Sequence, residues 1–138
     1  MPDIGYLLIN HAKRLKAAQT HALETSNITV SQWALLAALA RTTSATAAEL
    51  AAALDMDKPT MSGIVSRLVA KKMISKSPKP SDRRASLLKL TELGRKTYTQ
   101  CAQIAQQTAA TYLAALTPTQ QAQLQDLLTQ LEEGHEHA

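Results

Sequence analysis

Along most of the chain the apolar positions recur at helical spacing. Ile4, Leu8, His11 or Ala12, Leu15, Ala18 and Ala22 share one face of a first helix, predicted from Ile4 to about Thr25. A second helix starts after Thr29 and carries Trp33, Leu36, Ala37 and Ala40. A short third, Ala47 to about Leu54, turns Leu50, Ala51 and Leu54 inward. The fourth, about Lys58 to Lys72, has Met61, Ile64, Val65 and Leu68 as its stripe. The period then changes. Met73 to Ser77 and Ala85 to Leu90 read as two short strands, separated by a turn-rich loop of Pro78, Lys79, Pro80, Ser81 and Asp82. Helical spacing returns after Thr91 in a fifth helix reaching toward Leu116. A sixth covers Pro118 to about Glu133, with Leu124, Leu127, Leu128 and Leu131 apolar.

Three capping boxes mark helix starts: Thr29 to Gln32, Thr46 to Glu49 and Thr117 to Gln120. In each the Thr hydroxyl can accept the amide three residues on, while Gln or Glu reaches back to the Thr amide. Pro118 sits where its missing N–H costs nothing. The predicted fold is mainly α with a small two-stranded β-wing. A helix, a tight turn and a second helix rich in small polar and basic residues make a helix-turn-helix, and the basic hairpin makes it winged. Helices one, five and six fall outside that unit and carry narrow apolar stripes. They are expected to pair with the same helices of a second copy as a homodimer. A single Ala/Leu-rich bundle within one chain is the competing expectation.

Length and composition set the bounds. The chain has 138 residues, consistent with one domain over 1–138. Residues 1–28 and 97–138 are read as dimerisation helices and 29–96 as the DNA-binding lobe. An apolar fraction of 45% with one Trp, three Tyr and no Phe means a core of Ala, Leu, Ile, Val and Met. No apolar run reaches membrane-span length, and no basic region precedes the short apolar stretch near the N-terminus, so no secretory signal is read there. One cysteine, Cys101, excludes an internal disulfide and fits a reducing cytoplasm.

Charge changes the picture most. Lys58 to Lys96 holds eleven Lys and Arg against two acids, a net +9, whereas the rest of the chain is −5. A one-sided basic block is the footprint of a polyanion-binding surface. No nucleotide-binding Gly loop, HExxH or nucleophile elbow points to an enzyme. An adaptor using its helices to bind protein, without specific DNA binding, would not need this bias.

The chain is similar over nearly its whole length to the MarR family of bacterial transcription regulators. The resemblance rests on ordered fragments: Ser31-Gln32-Trp33-Ala34-Leu35-Leu36, Thr46-Ala47-Ala48-Glu49-Leu50-Ala51, Asp57-Lys58-Pro59-Thr60-Met61-Ser62 and Val65-Ser66-Arg67-Leu68. Ser81-Asp82-Arg83-Arg84-Ala85 and Leu88-Lys89-Leu90-Thr91-Glu92-Leu93-Gly94-Arg95 complete the series. The resemblance implies a homodimeric winged helix-turn-helix repressor on a palindromic operator of double-stranded DNA. It also implies modulation by a small anionic or phenolic effector or by cysteine oxidation, as is common in the family.

It further implies that Thr60, Ser62, Gly63 and Ser66 face the major groove. Lys58 joins them at the helix start, and Arg67 is long enough for a bidentate guanine contact. Gly63 departs from many relatives, which carry a larger polar or basic residue there; it could let the helix approach closely. In the wing, Asp82 and Arg84 match the family's Asp-x-Arg. Asp82 is expected to brace the hairpin while Arg83 and Arg84 reach a minor groove, whose negative potential attracts Arg. Lys76, Lys79 and Lys89 are expected on phosphates. First-turn capping by Thr60 and Ser62, and a mobile hairpin with a plain Asp–Arg ion pair, are the simpler readings.

In the family, effectors occupy the crevice between the dimerisation helices and the DNA-binding lobe. His11, Arg14, Trp33 and Tyr98 are candidates to line it, a cation for a carboxylate and apolar walls for a ring. The simpler reading makes Trp33 a core residue, His11 a dimer-face residue and Arg14 a solvated charge. Cys101 lies among Ala102, Ile104 and Ala105, so a buried, unreactive thiol is expected rather than a redox sensor. His135 and His137 with Glu132, Glu133 and Glu136 lie at the end of the chain and are credited with no metal site. No cofactor is expected.

Overall fold

The computed structural model describes residues 1–136. In order they form α1 (Ile4–Leu23), a 3-10 turn (Glu24–Ser26), α2 (Val30–Ala40), α3 (Ala47–Ala53), α4 (Lys58–Ala70), β1 (Ile74–Lys79), β2 (Asp82–Leu90), α5 (Glu92–Tyr112) and α6 (Pro118–Glu136). The fold is the mainly helical, winged helix-turn-helix architecture that the patterning predicts.

Short polar side chains start the helices by accepting otherwise free amides. Thr29 accepts the Gln32 amide at 3.0 Å and Thr46 accepts that of Glu49 at 3.1 Å, each with the reciprocal bond of a capping box. Thr117 and Gln120 exchange the same pair at α6, at 2.9 and 3.2 Å. Asp57 caps α4 by accepting the Thr60 amide at 2.7 Å, and Thr91 caps α5 through Gly94 at 3.0 Å. Asp3 does the same for α1 through Tyr6.

The core lies where α2, α3, α4 and the base of the wing meet. Leu23, Leu35, Leu36, Leu39, Met61, Leu68, Leu88 and Cys101 are fully buried, with Trp33 and Tyr98 half-buried against this cluster. Each enclosed Leu contributes about 1.5–3 kcal/mol, so aliphatic packing replaces the missing aromatics. The two strands pair antiparallel from Ile74 opposite Leu90 to Pro78 opposite Ser86. Ala45, just before α3, adds two backbone bonds to Leu88, at 2.8 and 3.1 Å.

Element ends differ from the sequence reading for local reasons. α1 stops at Leu23 because the 3-10 turn follows and Asn27 then adopts a left-handed φ of 54°. α4 stops at Ala70, since Lys72 is left-handed at φ 63°. The wing is longer than predicted: Pro78 and Lys79 belong to β1 and Asp82 to β2, leaving Pro80 and Ser81 as the turn. Proline is tolerated there because a two-stranded ribbon has an unpaired side, and the register shifts between Pro78 and Lys79. α5 ends at Tyr112, not Leu116; the Gln121 amide satisfies the carbonyls of Leu113 and Leu116, each at 3.1 Å.

α1 lies along α5, and α5 also packs on α2. Of α1 only Leu23 is buried, whereas Ile4 is 76% and Ile9 60% exposed. α6 has no buried residue and leaves Leu127, Leu128 and Leu131 exposed. Among the described residues no helix is long and apolar enough to cross a membrane.

One glycine fixes the joint between α5 and the end of α4. A Cβ on Gly94 would stand 2.0 Å from the Met73 carbonyl oxygen, a backbone atom with no room to retreat. Gly94→Ala should therefore lower stability by about 3 kcal/mol or more, read as a fall in the urea midpoint. A second expectation concerns acid. The Thr60 amide on the Asp57 carboxylate, and the Thr46 hydroxyl and amide on Glu49, hold both acids below their usual range. A carboxyl lowered in the folded state stabilises above its unfolded pKa, and that contribution is lost as pH falls through the folded one. The stability difference between the wild type and Asp57→Ala should thus shrink as melts are taken from neutral pH into the carboxylate range.

Candidate nucleic-acid interface

α4 buries Met61, Ile64, Val65 and Leu68, which turns its remaining faces outward. A groove runs along each side of it. The wing-side groove encloses about 400 Å³ between α3, α4 and the hairpin. Lys58, Ser62 and Ser66 of α4 line it together with Lys76 and Arg84 of the wing. The other, about 630 Å³, lies between α4 and the start of α2; Thr60, Gly63 and Arg67 face Thr29 and Ser31 across it. The two grooves thus gather hydroxyls and cations from α4, both strands of the wing and the start of α2.

Gly63 leaves a gap in this surface. A Cβ built there would meet only the Arg67 guanidinium, at 3.9 Å. Arg67 therefore reaches back one turn along α4 and lies near the position where a larger side chain would stand. At the wing tip the Arg84 amide donates to Asp82 Oδ1 at 3.0 Å, which closes the turn after Ser81. Arg83 and Arg84 are exposed beside it, as is Lys76, while Lys79 is half-buried. Among the described residues no carboxylate lies within ion-pair distance of any Lys or Arg in this segment; the pair found is His21 with Glu24 in α1 and the following turn. Cations left unpaired in this way keep their full charge for an anionic partner.

Thr29 and Ser31 were absent from the sequence-based site. Their capping pattern accounts for them fully, and only the approach of α2 to α4 shows that they border a groove. Ser86 was missed similarly: it lies inside the predicted second strand, but only the packing of the wing beside α4 shows that it borders a groove.

The candidate effector residues are spread out. His11 Nδ1 and the Tyr112 hydroxyl share a hydrogen bond of 2.5 Å, with the rings edge to face at 5.9 Å. Tyr98 lies on α5 fourteen residues earlier, roughly 21 Å along the helix axis. Arg14 is exposed, and Trp33 and Tyr98 pack on the core. None of the four lines either groove beside α4. The Trp33 Nε1–H is buried without a partner among the described residues. Cys101 is fully buried, and burial pushes its thiol pKa up against the weaker opposing pull of Ser26. Among the described residues no three His, Cys, Asp or Glu side chains gather to hold a metal ion; His137 lies outside them.

Known proteins share this arrangement. The MarR family's sequence model matches residues 26–85. Two curated relatives are the transcriptional repressor NicR of Pseudomonas putida, 35% identical over 92 residues, and the transcriptional activatory protein BadR of Rhodopseudomonas palustris, 31% over 101 residues. These matches take in 67% and 71% of this chain, and the chain spans 58% of the length of either relative. Among solved structures, an E. coli MarR mutant complexed with operator DNA superposes with a TM-score of 0.80 and 27% identity, covering 93% of this chain and 92% of that one. BpsR of Bordetella bronchiseptica, whose DNA binding is regulated by 6-hydroxynicotinic acid, gives 0.81 and 27%, covering 94% and 98%. By its sequence match and by its fold from the first helix to the last, the chain belongs to the MarR family.

Proposed function

We propose that the chain is a DNA-binding transcriptional regulator that grips duplex DNA as a homodimer. The observation that carries this reading is the unpaired cationic surface of α4 and the wing, on a fold like that of MarR bound to its operator. α4 enters a major groove, where Arg67 reads a guanine edge and Thr60, Ser62 and Ser66 contact bases or phosphates. The wing turn, held by Asp82, carries Arg83 and Arg84 to the neighbouring minor groove. Lys58, Lys76 and Lys79 neutralise phosphates and set register. The relatives are named as regulators, and we read this chain as a binding protein rather than an enzyme; the likeness to NicR favours a repressor.

Dimerisation is supported by what a single copy leaves uncovered. Ile4, Leu7 and Leu8 of α1 and Leu127, Leu128 and Leu131 of α6 are exposed together, and α6 buries nothing within its own chain. Large apolar side chains left open along a helix face are expected at an interaction surface. A two-fold pair places the reading helices roughly 34–36 Å apart, one turn of duplex. The likeness to BpsR supports a small aromatic acid as effector, acting by favouring one spacing of the two lobes.

The test starts from a duplex selected out of a random pool by the wild-type protein. Its affinity should fall with salt at a slope of about 0.9 per phosphate neutralised. Arg84→Ala should weaken binding about tenfold or more with an unchanged melting temperature. Unaltered affinity at moderate salt would remove the wing from the interface. Leu128→Glu with Leu131→Glu should yield a monomer in sedimentation and abolish tight binding; a dimer that persists would move the interface elsewhere.

A further inference from the structure

We infer that Lys71, one of the basic residues at the end of α4, is a positioning residue that aims the reading helix rather than a phosphate contact; this rests on the DNA-reading homodimer proposed above. Its ammonium donates to the Asn27 carbonyl at 2.5 Å and to Gln32 Oε1 at 3.3 Å. Both acceptors lie some forty residues earlier in the chain. Asn27 is the left-handed residue that ends the turn after α1, and Gln32 is the buried glutamine in the cap of α2. Gln32 Oε1 also accepts the Thr29 amide at 3.2 Å, so one oxygen serves both the cap of α2 and the lysine. A half-buried ammonium loses water that must be replaced by acceptors, and these two neutral ones hold it in place.

The other side of the same turn is fixed as well. The Lys72 carbonyl accepts the Thr91 hydroxyl at 2.7 Å, and the Met73 carbonyl accepts the Thr91 amide at 3.0 Å. The last turn of α4 is therefore clamped between the α1–α2 junction and the start of α5. The first turn of α4, by contrast, carries the groove-lining residues Lys58 and Thr60. α4 is about 20 Å long, so a tilt of about 10° at its end moves its tip by about 3 Å, more than a hydrogen bond to a base edge tolerates. Lys71 thus links the direction of the reading helix to α1, whose exposed apolar face is assigned to the partner subunit.

The test compares the wild type, Lys71→Met, Lys71→Arg and Lys76→Met on the selected duplex and on the same duplex with one base pair inserted between its half-sites. Lys71→Met should weaken binding about tenfold, the loss expected for one charge-assisted hydrogen bond, with an unchanged salt slope. It should also discriminate less between the two duplexes, and Lys71→Arg, which keeps donors for both acceptors, should restore both properties. Lys76→Met should instead lower the slope by about one and keep the discrimination. Should Lys71→Met fail to fold by circular dichroism, Lys71→Gln takes its place under the same criteria. A Lys71 variant that loses one unit of slope while retaining spacing discrimination, or that binds like the wild type, overturns the assignment. A wild type that binds no duplex overturns the DNA reading itself, and with it this role.

Discussion

The structure depends on a backbone contact at the Met73 carbonyl. α4, the wing and α5 all meet there: α4 has just ended, β1 is about to begin, and the first turn of α5 lies against the same oxygen. Thr91 supplies an amide to it and Gly94 supplies the space. With a side chain at residue 94, α5 could not begin where it does, and the hairpin base would lose its neighbour. Because α5 also carries α1 and α2 on its flanks, the position of the outer helices relative to α4 and the wing is settled by this one approach.

Much of the fold was legible in the chain because its signals are local. The capping Thr and Asp residues announce helix starts within a few positions, and the Met61, Ile64, Val65 and Leu68 stripe needs no tertiary information. The ends were harder. Asn27 and Lys72 adopt left-handed conformations for which a side-chain code is weak, and Pro78 looked like a strand breaker although an unpaired ribbon side accommodates it. The same division holds for the candidate interface. Lys58, Ser62, Ser66, Lys76 and Arg84 could be gathered from the family pattern and the charge block. Thr29 and Ser31 could not, because their part in a groove arises only from the approach of two helices. Lys71 was visible only as one more positive charge; its acceptors are a backbone carbonyl and a glutamine distant in sequence, and neither leaves a mark in composition.

The distribution of burial divides the molecule by purpose. The central aliphatic core is closed by its own chain, with Leu35, Leu36, Leu39, Leu68 and Leu88 sealed from water. The end helices are not. α6 continues for five turns without enclosing any of its leucines, and the N-terminal half of α1 is similar. Cationic and apolar surfaces are thus kept apart, the first on the lobe that carries α4 and the wing, the second on the helices at the chain's two ends.

The wing's strand edges have a further consequence. A two-stranded ribbon normally exposes a row of backbone donors and acceptors on which another strand can grow. Here Pro78 removes a donor from β1 and sits between Lys76 and Lys79, while Ala45 occupies the outer edge of β2 at Leu88. In the proposed dimer two such hairpins are therefore poor templates for one another, and the ribbon resists the edge-to-edge stacking that would remove it from use.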